Sequence, residues 1–249
     1  MKKRRKILTG IAAAVILIVA AGAVWFGQYY HTTEEGREAL SDSADVRVLE
    51  IPDGYFFDGS GTKDVVVFYP GAKVEFTAYA PLMHALAEEG IDCMLVKMPL
   101  NFALLGKDKA AGLMERYEYQ NWFLAGHSLG GVAACQFASE APERVRGLIL
   151  LASYPTDTVN EELGLLSVYG TEDEVLNRER YDDAKAYWPS GARESVIPGG
   201  NHAQFGAYGP QKGDGTATIS DEEQQALTAE AIVEFVMGEN EISEGEKAA

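Results

Sequence analysis

The sequence predicts an α/β protein: a mostly parallel, doubly wound sheet preceded by one membrane-spanning helix. Three observations carry that expectation. Short β-rich apolar runs alternate with stretches of helical spacing from about residue 46 to residue 237. One of these runs, Val65-Val66-Val67-Phe68-Tyr69 after Asp64, is apolar without alternation, as befits a strand covered on both faces. A separate apolar segment stands before residue 31, behind five consecutive basic residues.

Composition narrows the class. The 249 residues suit one domain, and 47% hydrophobic with 24% charged residues is ordinary for a globular chain. The net charge of −17 is unevenly spread. Lys2, Lys3, Arg4, Arg5 and Lys6 face no acid in residues 1–30. That leaves 16 basic against 38 acidic residues, or −22, on residues 31–249. So acidic a body argues against nucleic acid or anionic lipid on its bulk surface. Two cysteines exclude a disulfide-stapled or zinc-ribbon protein. Cys93 and Cys135 lie in apolar stretches and read as buried free thiols, with pairing in an oxidising compartment as the alternative.

Taken in order, residues 1–6 form a basic cytosolic segment. Residues 7–27 are long and apolar enough for a signal-anchor helix, and Trp25, Phe26, Tyr29 and Tyr30 form an interfacial aromatic belt. Basic residues before the helix and acidic ones after it put the remaining chain outside the cell membrane. The alternative is secretion after cleavage at the small-x-small Ala21-Gly22-Ala23. Residues 28–44 are polar and read as a stalk, 45–238 as the α/β domain, and 239–249 as a loose acidic tail.

Within the body, Val46–Ile51 and Tyr55–Phe57 suit a hairpin around Pro52-Asp53-Gly54. Strands follow at 64–69, 91–96, 122–125, 145–151, 164–169 and 194–197. Helices are expected at 76–89, 107–117, from the turn after residue 125 to 138, and at 178–187. In the first of them Tyr79, Leu82, Met83 and Leu86 share one face. Ser220 with Glu223 is a capping box for a last helix, whose apolar positions are Leu227, Ile232, Phe235 and Val236.

Chemistry concentrates in three places. Gly126-His127-Ser128-Leu129-Gly130-Gly131 lies between an apolar strand and a small-residue helix. A sharp strand-to-helix turn there strains the serine and exposes its hydroxyl. It lacks the lysine and the glycine spacing of phosphate-binding turns. His202 is the only one of four histidines after Ser128, in Pro198-Gly199-Gly200-Asn201-His202 just beyond the last strand. His84 reads as a structural helix residue, His31 as part of the stalk, and His127 as pointing away from the site. Asp173, between Glu172 and Glu174, follows the 164–169 strand.

With these residues the chain resembles the α/β-hydrolase superfamily, especially its small lidless members. The resemblance covers about residues 46–237. It implies a Ser128 nucleophile, a His202 general base and an Asp173 partner, with the competing acids Glu172 and Glu174 left open. It implies oxyanion donors at the Leu129 N–H and, in Pro70-Gly71-Ala72-Lys73, the Ala72 N–H, although Pro70 stands where the family's turn carries histidine. Dienelactone hydrolases are similar in size but use cysteine at the elbow. No metal or organic cofactor is implied.

The substrate pocket is expected to take in Gly71, Asn101, Phe102 and Gln204. The apolar segment 98–105 points to an acyl pocket or to packing against the stalk or membrane. Asp214, between two glycines, reads as a turn residue. Only a dozen residues separate Leu151 from Gly164, too few for a lid, which favours small soluble esters over interfacial lipids. Acyl transfer, thioester or peptide cleavage would use the same triad, and a non-catalytic binding module would share the fold.

Overall fold

The computed structural model describes residues 2–248; the side chains of residues 1–9, 12, 13, 23 and 241–249 are outside the described set. Eight strands form one sheet in the order β1-β2-β4-β3-β5-β6-β7-β8. They are β1 (Arg47–Ile51), β2 (Gly54–Asp58), β3 (Asp64–Tyr69), β4 (Asp92–Val96), β5 (Asn121–His127), β6 (Gly147–Leu151), β7 (Gly164–Gly170) and β8 (Arg193–Ile197). The β1–β2 hairpin joins β4 antiparallel, and every pairing from β4 to β8 is parallel.

Strand alternation sorts the core into two layers. Val66, Phe68, Phe123 and Ile149 pack on α3 (Ala80–Glu88) and α7 (Asp221–Ala248). Val65, Val67, Leu124 and Leu150 pack on α4 (Lys109–Met114) and α5 (Leu129–Glu140). Leu82, Met83 and Leu86 of α3 and Ile232, Phe235 and Val236 of α7 are fully buried. Each such side chain contributes about 1.5–3 kcal/mol of burial. Leu227 departs from expectation and stays exposed. The Ser220 hydroxyl accepts the Glu223 N–H, as the capping box requires.

Two boundaries are corrected. Residues 28–44 are not a free stalk. Tyr30 pairs with Val74, Thr32 is buried with its hydroxyl against that of Thr77 (2.6 Å), and α2 (Glu34–Glu38) starts at a Thr33 cap. The hydrogen-bonding capacity of this polar segment is used by the body. Nor does the body stop at residue 238. The helix α7 continues to Ala248, Glu239 is buried beside Arg146, and Asn240 donates to Asp64.

The chain opens with α1 (Lys2–Gly27). Ile16, Leu17, Ile18 and Val19 are all more than 60% exposed; at 100° per residue they cover the whole circumference of the helix. Among the described residues no helix is long and apolar enough to cross a membrane. The expected 7–27 span falls partly on side chains outside the described set.

Candidate active site

The strand β5 ends in the turn that carries Ser128. Its backbone lies at φ 52, ψ −123, a left-handed conformation that disfavours a side chain. Neighbours hold it there. The Ser128 N–H donates to Leu151 O (2.9 Å), and the Ser153 hydroxyl donates to Ser128 O (2.7 Å). Glycines are required around it by space. A Cβ on Gly130 would fall 2.6 Å from the Pro70 carbonyl oxygen, and one on Gly131 would fall 2.5 Å from Ser153 Oγ. The helix α5 begins at Leu129, so positive potential from its N-terminus lies at the serine.

The second and third elements meet. His202, in the loop after β8, is buried, and its Nδ1 lies 2.9 Å from Asp173 Oδ2. The other Asp173 oxygen accepts the N–H groups of Val175 (2.9 Å) and Leu176 (2.8 Å). A carboxylate so placed accepts the Nδ1 proton and leaves Nε2 as an acceptor. Glu172 turns to the Thr171 hydroxyl and Glu174 is exposed; neither reaches His202.

Ser128 and His202 line one cavity of about 210 Å³ with Leu129, Ala152, Tyr154 and Leu176. Four expected pocket residues lie elsewhere. The Gly71 N–H donates to the Tyr79 hydroxyl (3.1 Å), and the Asn101 carbonyl accepts the Lys73 N–H (2.8 Å). Phe102 packs edge-on against Phe26. Gln204 donates to Asp221 and lines a separate cavity. These contacts take the segments after β3, β4 and β8 away from the cavity lining, which residue type alone does not reveal. The Ala72 and Leu129 N–H groups have no backbone acceptor among the described residues.

Two supporting residues are not marked by any motif. Asp214 is more than a turn residue. Its carboxylate accepts the N–H groups of Ala203 (2.8 Å), His202 (3.3 Å) and Glu174 (3.4 Å), tying the histidine loop to the acid turn. Its place between two glycines was the one available signal. Tyr79 is fully buried; besides accepting from Gly71, its hydroxyl lies 2.8 Å from His127 Nδ1. Since the tyrosine oxygen already accepts an N–H, its own proton goes to Nδ1, and His127 carries its hydrogen on Nε2.

Burial, followed by the neighbouring His202, holds the His127 pKa well below the ordinary 6.5. The unfolded chain therefore binds this proton below about pH 6.5 while the folded chain does not. Stability is complete above that pH and should fall by up to about 1.4 kcal/mol per pH unit below it. Urea midpoints at pH 7.5 and 5.5 measure this loss. The gap should shrink in His127→Gln; an unchanged gap would assign it to other groups.

Comparisons with known proteins agree with this fold. The pattern that defines the Alpha/beta hydrolase family matches residues 65–226. The chain belongs to that family. Among solved structures, this α/β hydrolase is similar to a dienelactone hydrolase from Anabaena variabilis. Identity is 14%, the TM-score is 0.59, and the match covers 78% of this chain and 98% of that one. Est1E from Butyrivibrio proteoclasticus is 13% identical with a TM-score of 0.53, covering 79% and 99%. Carboxylesterase CesB from Bacillus subtilis is 12% identical with a TM-score of 0.53, covering 87% and 98%. At these identities the likeness is one of fold. No curated protein matches the sequence.

Proposed function

We propose that this α/β hydrolase is a serine esterase for small carboxylic esters, anchored by α1 with its catalytic body on the outer face of the cell membrane. The observation that carries the reading is His202, 2.9 Å from Asp173 and on the same cavity as a serine in a strained strand-to-helix turn.

The Ser128 hydroxyl gives its proton to His202 Nε2 as Oγ bonds the ester carbonyl carbon. The carbonyl electron pair moves to oxygen, where the Ala72 and Leu129 N–H groups receive the charge. Asp173 stabilises the imidazolium through Nδ1–H. Collapse expels the alcohol, protonated by His202, and leaves an acyl-serine. Water, activated by the same histidine, releases the acid. Esterases among the similar structures, CesB for one, are in keeping with this substrate class.

A cavity of about 210 Å³ is smaller than the usual drug-sized pocket, which favours short acyl groups. A panel of p-nitrophenyl esters tests this. Acetyl and butyryl esters should exceed the decanoyl ester by at least about tenfold in kcat/KM; a long-chain preference would contradict it. For the anchor, support comes from the exposed apolar circumference of α1, which water would not tolerate. The full chain should float with lipid vesicles, and its N-terminal sequence should begin before residue 24.

A further inference from the structure

We propose that the catalytic edge of the sheet rests on the bilayer, and that the substrate is a short-acyl ester of a membrane-resident amphiphilic alcohol. This rests on the anchored-esterase reading above: it keeps the small acyl group and replaces a small soluble alcohol with a membrane-resident one.

The end of α1 meets the body at the carboxyl edge. Lys73 Nζ lies 4.5 Å from the centre of the Trp25 ring, and Phe26 packs on Phe102 with ring centres 6.1 Å apart. Lys73 follows β3 and Phe102 follows β4, so both contacts fall on the edge that carries Ser128. The Lys73 N–H to Asn101 carbonyl bond joins the two segments. Lys73 is also the residue after Ala72, an oxyanion donor in the proposed mechanism.

The tether is short. Tyr30 is fixed to the body through its N–H to Lys73 O (2.7 Å) and its carbonyl to the Glu75 N–H (2.8 Å). Only residues 27–29 separate it from Phe26, at most about 14 Å of extended chain. If the aromatic end of α1 sits at the interface, the catalytic edge has nowhere to go but against it.

That edge is dressed for contact with lipid. Leu100 and Leu105 flank Phe102 and are 58% and 55% exposed. Leu100 and Asn101 both hold left-handed backbone, φ 53 and 52, so the fold sustains strain to display this segment. Apolar side chains on a membrane-facing surface gain by burial among acyl chains.

The two sides of Ser128 then take different parts of the substrate. The small cavity lies toward β6 and β7, lined by Ala152, Tyr154, Val175 and Leu176. It takes the short acyl group. The leaving alcohol extends the other way, past the turns after β3 and β4, with its alkyl tail in the bilayer. Hydrolysis releases a short carboxylic acid to water and leaves the alcohol in the membrane.

The test uses the full chain in neutral phosphatidylcholine vesicles and two isomeric esters, hexadecyl butyrate and butyl palmitate. Hexadecyl butyrate should be hydrolysed at least about tenfold faster. Leu100→Glu/Leu105→Glu should keep the wild-type rate on soluble p-nitrophenyl butyrate and lose about tenfold on hexadecyl butyrate. Leu105→Glu alone should lose less, in the same direction. Equal rates on the isomers, or a variant unchanged on hexadecyl butyrate, would overturn the proposal. So would a wild type that cleaves only the soluble ester, with the esterase reading intact. A wild type that cleaves neither ester would overturn both.

Discussion

His202→Ala should lower kcat on p-nitrophenyl butyrate by about 10⁴- to 10⁶-fold. Without imidazole, the serine hydroxyl must lose its proton to water, and no base activates the water that hydrolyses the acyl-serine. His202 is buried at the cavity wall, so the substitution removes chemistry and some packing together. Circular dichroism and the urea midpoint separate the two: the fold should persist while turnover disappears. KM should change little, since the ring acts on the reacting atoms rather than on substrate binding. A loss below about 100-fold would remove His202 as the base.

Asp173→Asn should cost about 10⁴-fold in kcat, and the geometry gives the reason. One Asp173 oxygen accepts two backbone N–H groups, from Val175 and Leu176, and the other accepts the His202 Nδ1 proton. In asparagine the amide oxygen must take the first position, because an NH₂ facing two N–H donors is repelled. The NH₂ then faces Nδ1 and forces that nitrogen to accept. His202 would carry its proton on Nε2, where the serine proton has to go. The variant should fold, because the turn keeps both backbone bonds. Steady-state kinetics measures the loss; activity within tenfold of wild type would mean that another group orients the histidine.

Much of the fold was legible because burial leaves a direct mark on residue type. Continuous apolar strands such as 65–69 need cover on both faces, and the α3 stripe of Leu82, Met83 and Leu86 has only one face to bury. The strained turn at Ser128 and the His202–Asp173 pair were legible because a sharp strand-to-helix turn demands glycines and each partner follows its own strand. The pocket was not legible. It depends on which way loops turn after β4, β6 and β7, and nothing in Asn101 or Gln204 encodes that direction.

Supporting residues were hidden for a related reason. Tyr79 sits on an apolar helical stripe, and only its hydroxyl, reaching Gly71 and His127, sets it apart from Leu82. Asp214 looks like any aspartate between glycines until its carboxylate is seen joining two loops. The 28–44 segment misled by polarity. Tyr30 bonds the turn around Lys73 and Thr33 bonds the Ala207 carbonyl, so the segment is held on the body.

The central claim is that Ser128 is an activated nucleophile, and covalent labelling tests it most directly. A fluorophosphonate probe reacts when an activated serine oxygen bonds phosphorus and fluoride leaves. The account predicts stoichiometric labelling of the wild-type chain, mapped by mass spectrometry to the peptide containing Ser128 and absent from Ser128→Ala. A wild-type chain that stays unlabelled, or a Ser128→Ala chain that labels equally well, would contradict it.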